Sequence, residues 1–252
     1  MKCLVKNKVL HAVIWIFIYV LIVNLGDFLS ETLNLPYMTA LCVLLLSLLL
    51  GVYILVTKTK LTNRSKDTKV NIHPMILYLP LIIIGLIQLV KGIDQTIDQS
   101  SLITIIVLML CVGFIEEVIF RGLLLQGIQQ KASIKRAIII SGVTFGIGHI
   151  VNLSRGYGYN ELIAQIIVAI AIGIMLSMIV VLTNQLLPGI LFHMVFNIMG
   201  SITIANATTE FYILIVILLI AISICIYLYK QIKQMSCLDQ ALVTMNRIEH
   251  TQ

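Results

Sequence analysis

Residues 101–128 read SLITIIVLMLCVGFIEEVIFRGLLLQGI. The run is apolar enough for lipid, and its only charged side chains are Glu116, Glu117 and Arg121. A helix needs about 20 apolar residues to cross the hydrocarbon core of a bilayer. A charge at that depth costs roughly 2.5–3.5 kcal/mol on insertion scales. Ionisable groups kept there are therefore candidates for function, and they need partners.

The rest of the chain has the same character. Of 252 residues, 60% are hydrophobic and 11% charged, against about 25% charged in a soluble domain. This composition specifies an all-α, polytopic membrane protein built as a helical bundle. The net charge of +6 does not point to nucleic acid. The basic residues fall in loops between apolar runs, where they set topology and meet anionic headgroups. The lipid bilayer is the partner this implies. Cys3, Cys42, Cys111, Cys225 and Cys237 show no CxxC spacing and no adjacent histidines, which argues against a disulfide framework and a cysteine metal site.

Eight apolar runs are expected as spans, at about 9–25, 38–56, 74–90, 101–129, 135–151, 162–182, 188–204 and 211–229. The first lacks a small-x-small cleavage site and reads as an uncleaved span. Pro80 lies inside the third and is tolerated if neighbours satisfy the freed carbonyl. The polar tail 230–252 is expected to fray. The chain divides into N-terminal helices (1–100, about three spans), a core (101–205), and a last helix with its tail (206–252).

Charge sets the orientation. With the N-terminus inside, cytoplasmic segments hold Lys2, Lys6 and Lys8, then Lys58, Lys60, Arg64, Lys66 and Lys69. They also hold Lys131, Lys135 and Arg136, then Lys230, Lys233 and Arg247. The outer loops hold only Lys91 and Arg155. Short basic loops stay cytoplasmic, so both termini are expected inside. Strictly spanning helices then place Glu116 toward the cytoplasmic end and His149 toward the outer end, a mismatch in depth.

Three polar groups interrupt the fourth, fifth and seventh runs. Glu117 and Arg121 are i,i+4 and can pair on one helix face, while Glu116 points about 100° away. Glu117 and Arg121 are thus structural candidates, and Glu116 is the candidate general base. Phe145 and His149 are again i,i+4, among Gly142, Gly146 and Gly148 that admit a close neighbour. His193 and Asn197 follow the same spacing after Pro188-Gly189, and together can donate two hydrogen bonds to one oxyanion. Each group alone also reads as structural, either a salt-bridge cluster at a helix end or interhelical hydrogen bonding.

Taken in order, Glu116-Glu117-Val-Ile-Phe-Arg121, Phe145-Gly-Ile-Gly-His149 and His193-Met-Val-Phe-Asn197 resemble the three motifs of the CPBP family. That family is also called Abi, or CAAX protease and bacteriocin processing. The resemblance covers roughly residues 100–200. It implies an intramembrane endopeptidase with an eight-helix core. Glu116 and His149 would activate a water, and His193 and Asn197 would stabilise the tetrahedral oxyanion. Glu117, Arg121 and Phe145 would support the site. No metal is required by a glutamate-base mechanism. The alternative is Zn²⁺ held by Glu116, His149 and His193 with an open fourth position.

The resemblance implies a hydrophobic or membrane-associated peptide substrate, cut near the cytoplasmic face of what reads as a bacterial cell membrane. Relatives process pheromones, bacteriocin leaders or prenylated Cys-a-a-X tails. The rival reading is a non-catalytic membrane protein, either a bacteriocin immunity or scaffold protein or a proton-coupled transporter, since buried Glu and His also occur in proton relays.

Overall fold

The computed structural model describes residues 7–62, 74–156 and 158–249. Lys2, Lys6, Arg64, Lys66 and Lys69 lie outside the described residues. Among the described residues eight helical rods follow in order. They are α1 (Lys8–Leu33), α2 (Met38–Thr57), α3 (Pro74–Leu86, continued as a 3-10 turn Ile87–Lys91) and α4 (Gln99–Gln129). Then come α5 (Ile134–Gly148, continued as a 3-10 segment His149–Arg155), α6 (Tyr159–Thr183), α7 (Leu187–Ser201) and α8 (Ala207–Glu249).

Six rods are long and apolar enough to cross a membrane, whereas α3 with its turn and α7 are shorter apolar helices. At 15 residues, α7 rises only about 22 Å, short of the roughly 30 Å hydrocarbon core. It replaces the longer seventh run anticipated from hydropathy. The first run was also underestimated. α1 continues past Leu25 to Leu33 because Gly26 and Asp27 lie against α2, with Thr39 Oγ1 donating to Asp27 at 2.9 Å. Of the polar tail, the described residues up to Glu249 are helical and continue α8, and 250–252 lie outside the described residues.

Local chemistry marks the ends. The Asn7 side chain accepts from the Leu10 amide to open α1, and Ser133 does the same for Arg136 at α5. Asp98 opens α4, accepting from the amides of Ser100 and Ser101. These are N-cap residues satisfying otherwise orphaned donors. Helices α1, α2 and α6 close on Asn34, Lys58 and Asn184, each left-handed, and after Asn34 and Asn184 the next helix starts within a few residues.

Small residues let the helices that carry the motifs meet. A Cβ on Gly142 would lie 2.7 Å from the Ile174 amide, and one on Gly146 would lie 2.8 Å from that of Ile170. Helices α5 and α6 therefore touch backbone to backbone, as glycines permit inside a membrane. Gly113 brings α4 equally close to α7, where a Cβ would stand 2.8 Å from the Met194 amide. That approach sets Glu116 and Glu117 beside His193. Outward apolar side chains such as Phe17, Leu48, Leu49 and Val56 are exposed, the surface a bilayer covers. The protein is an integral, multi-pass helical bundle.

Candidate active site

Helix α4 changes its winding at the motif. It is α-helical over Gln99–Glu117, π-helical over Val118–Leu125 and α-helical again over Gln126–Gln129. A π stretch is an uncommon geometry that recurs at functional sites. Here every residue of it is buried. The Phe120 carbonyl within it accepts from Ser141 Oγ of α5 at 2.9 Å, so the altered ladder is tied across helices.

Glu117 and Arg121 are completely buried and joined at 2.7 Å. The Arg121 guanidinium also lies 4.3 Å from the centroid of the Phe145 ring, a cation–π contact that offsets part of the burial of a charge. Arg121 Nε and Nη2 have no hydrogen-bond partner among the described residues. Gly189 makes room for the carboxylate, since a Cβ there would come within 3.0 Å of Glu117 Oε2.

His193 occupies the centre. Its Nδ1 lies 3.1 Å from Glu117 Oε1 and its Nε2 lies 3.2 Å from Glu116 Oε2. Spacing along α4 alone left Glu116 without a partner, but the fold supplies two. The second is Tyr19 of α1, whose hydroxyl donates to Glu116 Oε1 at 2.9 Å. No motif contains Tyr19, and the sequence signal for it is only a phenol inside the first apolar run.

The donors and acceptors constrain the protons. Glu117, paired with Arg121, offers His193 an acceptor, so the His193 Nδ1 contact with Glu117 Oε1 is made by a proton on Nδ1. His149 Nδ1 lies 3.2 Å from the Phe145 carbonyl, which can only accept. The neutral ring is then protonated at Nδ1, and Nε2 keeps its lone pair.

Phe145 joins the three motifs. Its ring stands edge-to-face with those of Phe120, His149 and His193 at centroid distances of 5.2, 5.2 and 5.5 Å. Glu116, His149, His193 and Asn197 all line one cavity of about 860 Å³. The structure therefore brings Glu116 and His193 into contact, and places His149 and Asn197 on the same cavity without a direct bond to Glu116. His149 opens the 3-10 segment after Gly148 and lines the same cavity as Glu116.

The residues named for zinc do not form a ligand set. Among the described residues no three His, Cys, Asp or Glu side chains converge as a metal-binding group. His193 has both ring nitrogens beside carboxylates. No step below is routed through a metal.

Residues 98–199 match the family model described as type II CAAX prenyl endopeptidase Rce1-like. No curated protein matches the chain. The matched segment contains all three motifs and excludes Tyr19. Motifs and family match coincide: the segment that carries all three motifs is the one similar to the type II CAAX prenyl endopeptidase model, that of a protease family.

Proposed function

We propose that this protein is an intramembrane endopeptidase that hydrolyses a hydrophobic or membrane-associated peptide with a water activated by side chains. The observation that carries the reading is the carboxylate of Glu116, held by Tyr19 and His193 and opening on the same cavity as His149 and Asn197.

Glu116 acts as general base. It takes a proton from a water as the oxygen attacks the scissile carbonyl carbon, and His149, with Nε2 free to accept, orients that water. The tetrahedral oxyanion is met by the Asn197 carboxamide and by His193. In the resting site His193 Nε2 lies 3.2 Å from Glu116 Oε2. Once Glu116 has taken the proton of the water, a protonated His193 Nε2 beside it donates to the oxyanion. A preorganised donor of this kind contributes on the order of 3 kcal/mol to the barrier. Glu116 then returns its proton to the amide nitrogen as the C–N bond breaks. The products are a carboxylate and an amine.

Candidate substrates are peptides of the pheromone, bacteriocin-leader or prenylated-tail kind. The test compares the peptides of membranes carrying wild-type, Glu116→Gln and His149→Ala proteins at equal abundance. Peptides that appear only with the wild type are expected. Cleavage that persists in both variants sinks the protease reading. Loss of activity on metal stripping, with recovery on adding Zn²⁺, sinks the metal-free form of it.

A further inference from the structure

The 3-10 segment His149–Arg155 carries a polar stripe. In a 3-10 helix, side chains three residues apart stand in line. His149, Asn152 and Arg155 are so spaced, and all three line the cavity that holds Glu116. One 3-10 turn advances about 6 Å. An extended peptide advances about 6.7 Å over two residues. A chain laid along the stripe therefore meets successive turns with carbonyls that point the same way.

The stripe has a defined polarity. Asp27 of α1 grips Arg155, its Oδ2 accepting from Nε at 2.9 Å and from Nη2 at 2.7 Å. Arg155 Nη1 faces Asn152 Oδ1 at 3.5 Å, and Asn152 Nδ2 donates to Gln165 Oε1 of α6 at 3.0 Å. A guanidinium only donates, so the oxygen is the end of Asn152 that faces it. Asn152 then presents its N–H groups to Gln165, and Gln165 meets them with its oxygen. The chain of bonds ends on Gln165 Nε2, a donor.

Gln165 also lines the cavity and is only partly buried. Its Nε2 has no hydrogen-bond partner among the described residues, and unlike Arg121 Nε it is not sealed within the protein. A purely structural bond between Asn152 and Gln165 uses Oε1 alone and needs no accessible donor. A chain that enters the cavity here covers that donor, which is costly unless the chain brings an acceptor. Arg155 is already paired with Asp27, so the neutral amide rather than the guanidinium is offered to a peptide.

We propose that Gln165 is a substrate-binding residue that donates from Nε2 to a peptide carbonyl two residues from the scissile bond, with Asn152, Arg155 and Asp27 fixing the orientation of its amide. This rests on the protease reading and adds a register to it. The scissile carbonyl lies beside Glu116 and His149, and the second carbonyl on one side of it lies beside Gln165. Recognition at this position reads the peptide backbone and tolerates varied apolar side chains.

The test uses hydrophobic peptides that the wild-type protein cleaves in proteoliposomes and the Glu116→Gln protein does not. Each is remade with a thioamide, a weaker acceptor, in place of the second carbonyl on either side of the scissile bond. A thioamide at the intervening carbonyl, which points the other way, is the control. In the wild type, one of the two second-carbonyl analogues is expected to raise KM about three- to tenfold with kcat little changed, the loss of one hydrogen bond. Gln165→Met keeps the length and removes the donor, and is expected to raise KM for the ordinary peptide by a similar factor. The thioamide should then add nothing further, because both changes remove the same bond. Penalties that multiply, no thioamide penalty in the wild type, or an equal penalty at the control overturn the role of Gln165. If Gln165→Met folds poorly, the wild-type comparison of the analogues still decides the matter. Absence of any Glu116-dependent cleavage removes the protease reading, and the role of Gln165 falls with it. Cleavage intact with multiplying penalties removes Gln165 alone.

Discussion

Tyr19 donates its hydroxyl to Glu116 across 97 residues of sequence, at 2.9 Å. The first helix thereby reaches the carboxylate proposed as the base, although it lies outside the matched segment 98–199. A hydrogen bond to a charged group contributes about 1.5–3 kcal/mol.

Tyr19→Phe keeps the ring and removes that donor. It is expected to lower kcat/KM for Glu116-dependent cleavage by roughly one order of magnitude or more, with membrane abundance unchanged. Peptide cleavage in detergent, normalised to folded protein, is the measurement. Equal activity would show that His193 alone positions Glu116.

Removing one partner of the buried Glu117–Arg121 pair leaves an uncompensated charge, a loss of about 3–5 kcal/mol. Arg121→Met is therefore expected to reduce folded protein in the membrane and lower its thermal midpoint. Adding Glu117→Gln removes the orphaned charge and should recover part of the loss. Thermal unfolding of the two single variants and the double variant measures the coupling. Additive losses would contradict a direct pair.

Gly146 and Gly148 separate packing from winding. A Cβ at Gly146 meets the Ile170 backbone amide at 2.8 Å, whereas one at Gly148 meets nothing within 4 Å. Gly146→Ala is expected to destabilise by about 1–3 kcal/mol, as overpacking does. It also pushes α5, and the following His149, away from α6. Gly148→Ala should leave the thermal midpoint near that of the wild type. Similar losses in both would mean that helical propensity, not the close approach, governs this segment.

Asp98 gives a pH signature outside the apolar spans. The Ser101 amide and hydroxyl, with the Ser100 amide, hold its carboxyl below the usual carboxylate range. A carboxyl whose pKa is lower when folded adds stability above its unfolded pKa and loses it as pH falls through the folded one. Asp98→Ala should therefore have a lower thermal midpoint than the wild type near neutral pH. The gap should close below the ordinary carboxylate pKa. A gap that persists unchanged in acid would show that the cap acts without its charge.

The readings that survived contact with the structure are those set by short range or by solvent. Apolar runs near 20 residues specify helices because a bilayer offers no water to an unpaired amide. Glu117 and Arg121 met because i,i+4 neighbours share a helix face. The positions of helix ends were harder to read. α7 is short, and α1 runs on to Leu33, because packing rather than hydropathy decides where each stops.

By itself, the sequence determined the membrane class, the order of the three motifs and the local pair of Glu117 with Arg121. Only the tertiary structure decided the partners of Glu116, because Tyr19 and His193 come from α1 and α7. Backbone contact at Gly113 is what lets α7 approach α4 closely enough for His193 to span both carboxylates. Periodicity records which face a side chain occupies on its own helix. Which helix comes to lie against that face depends on small residues that let backbones touch and on buried charges that must find counterparts.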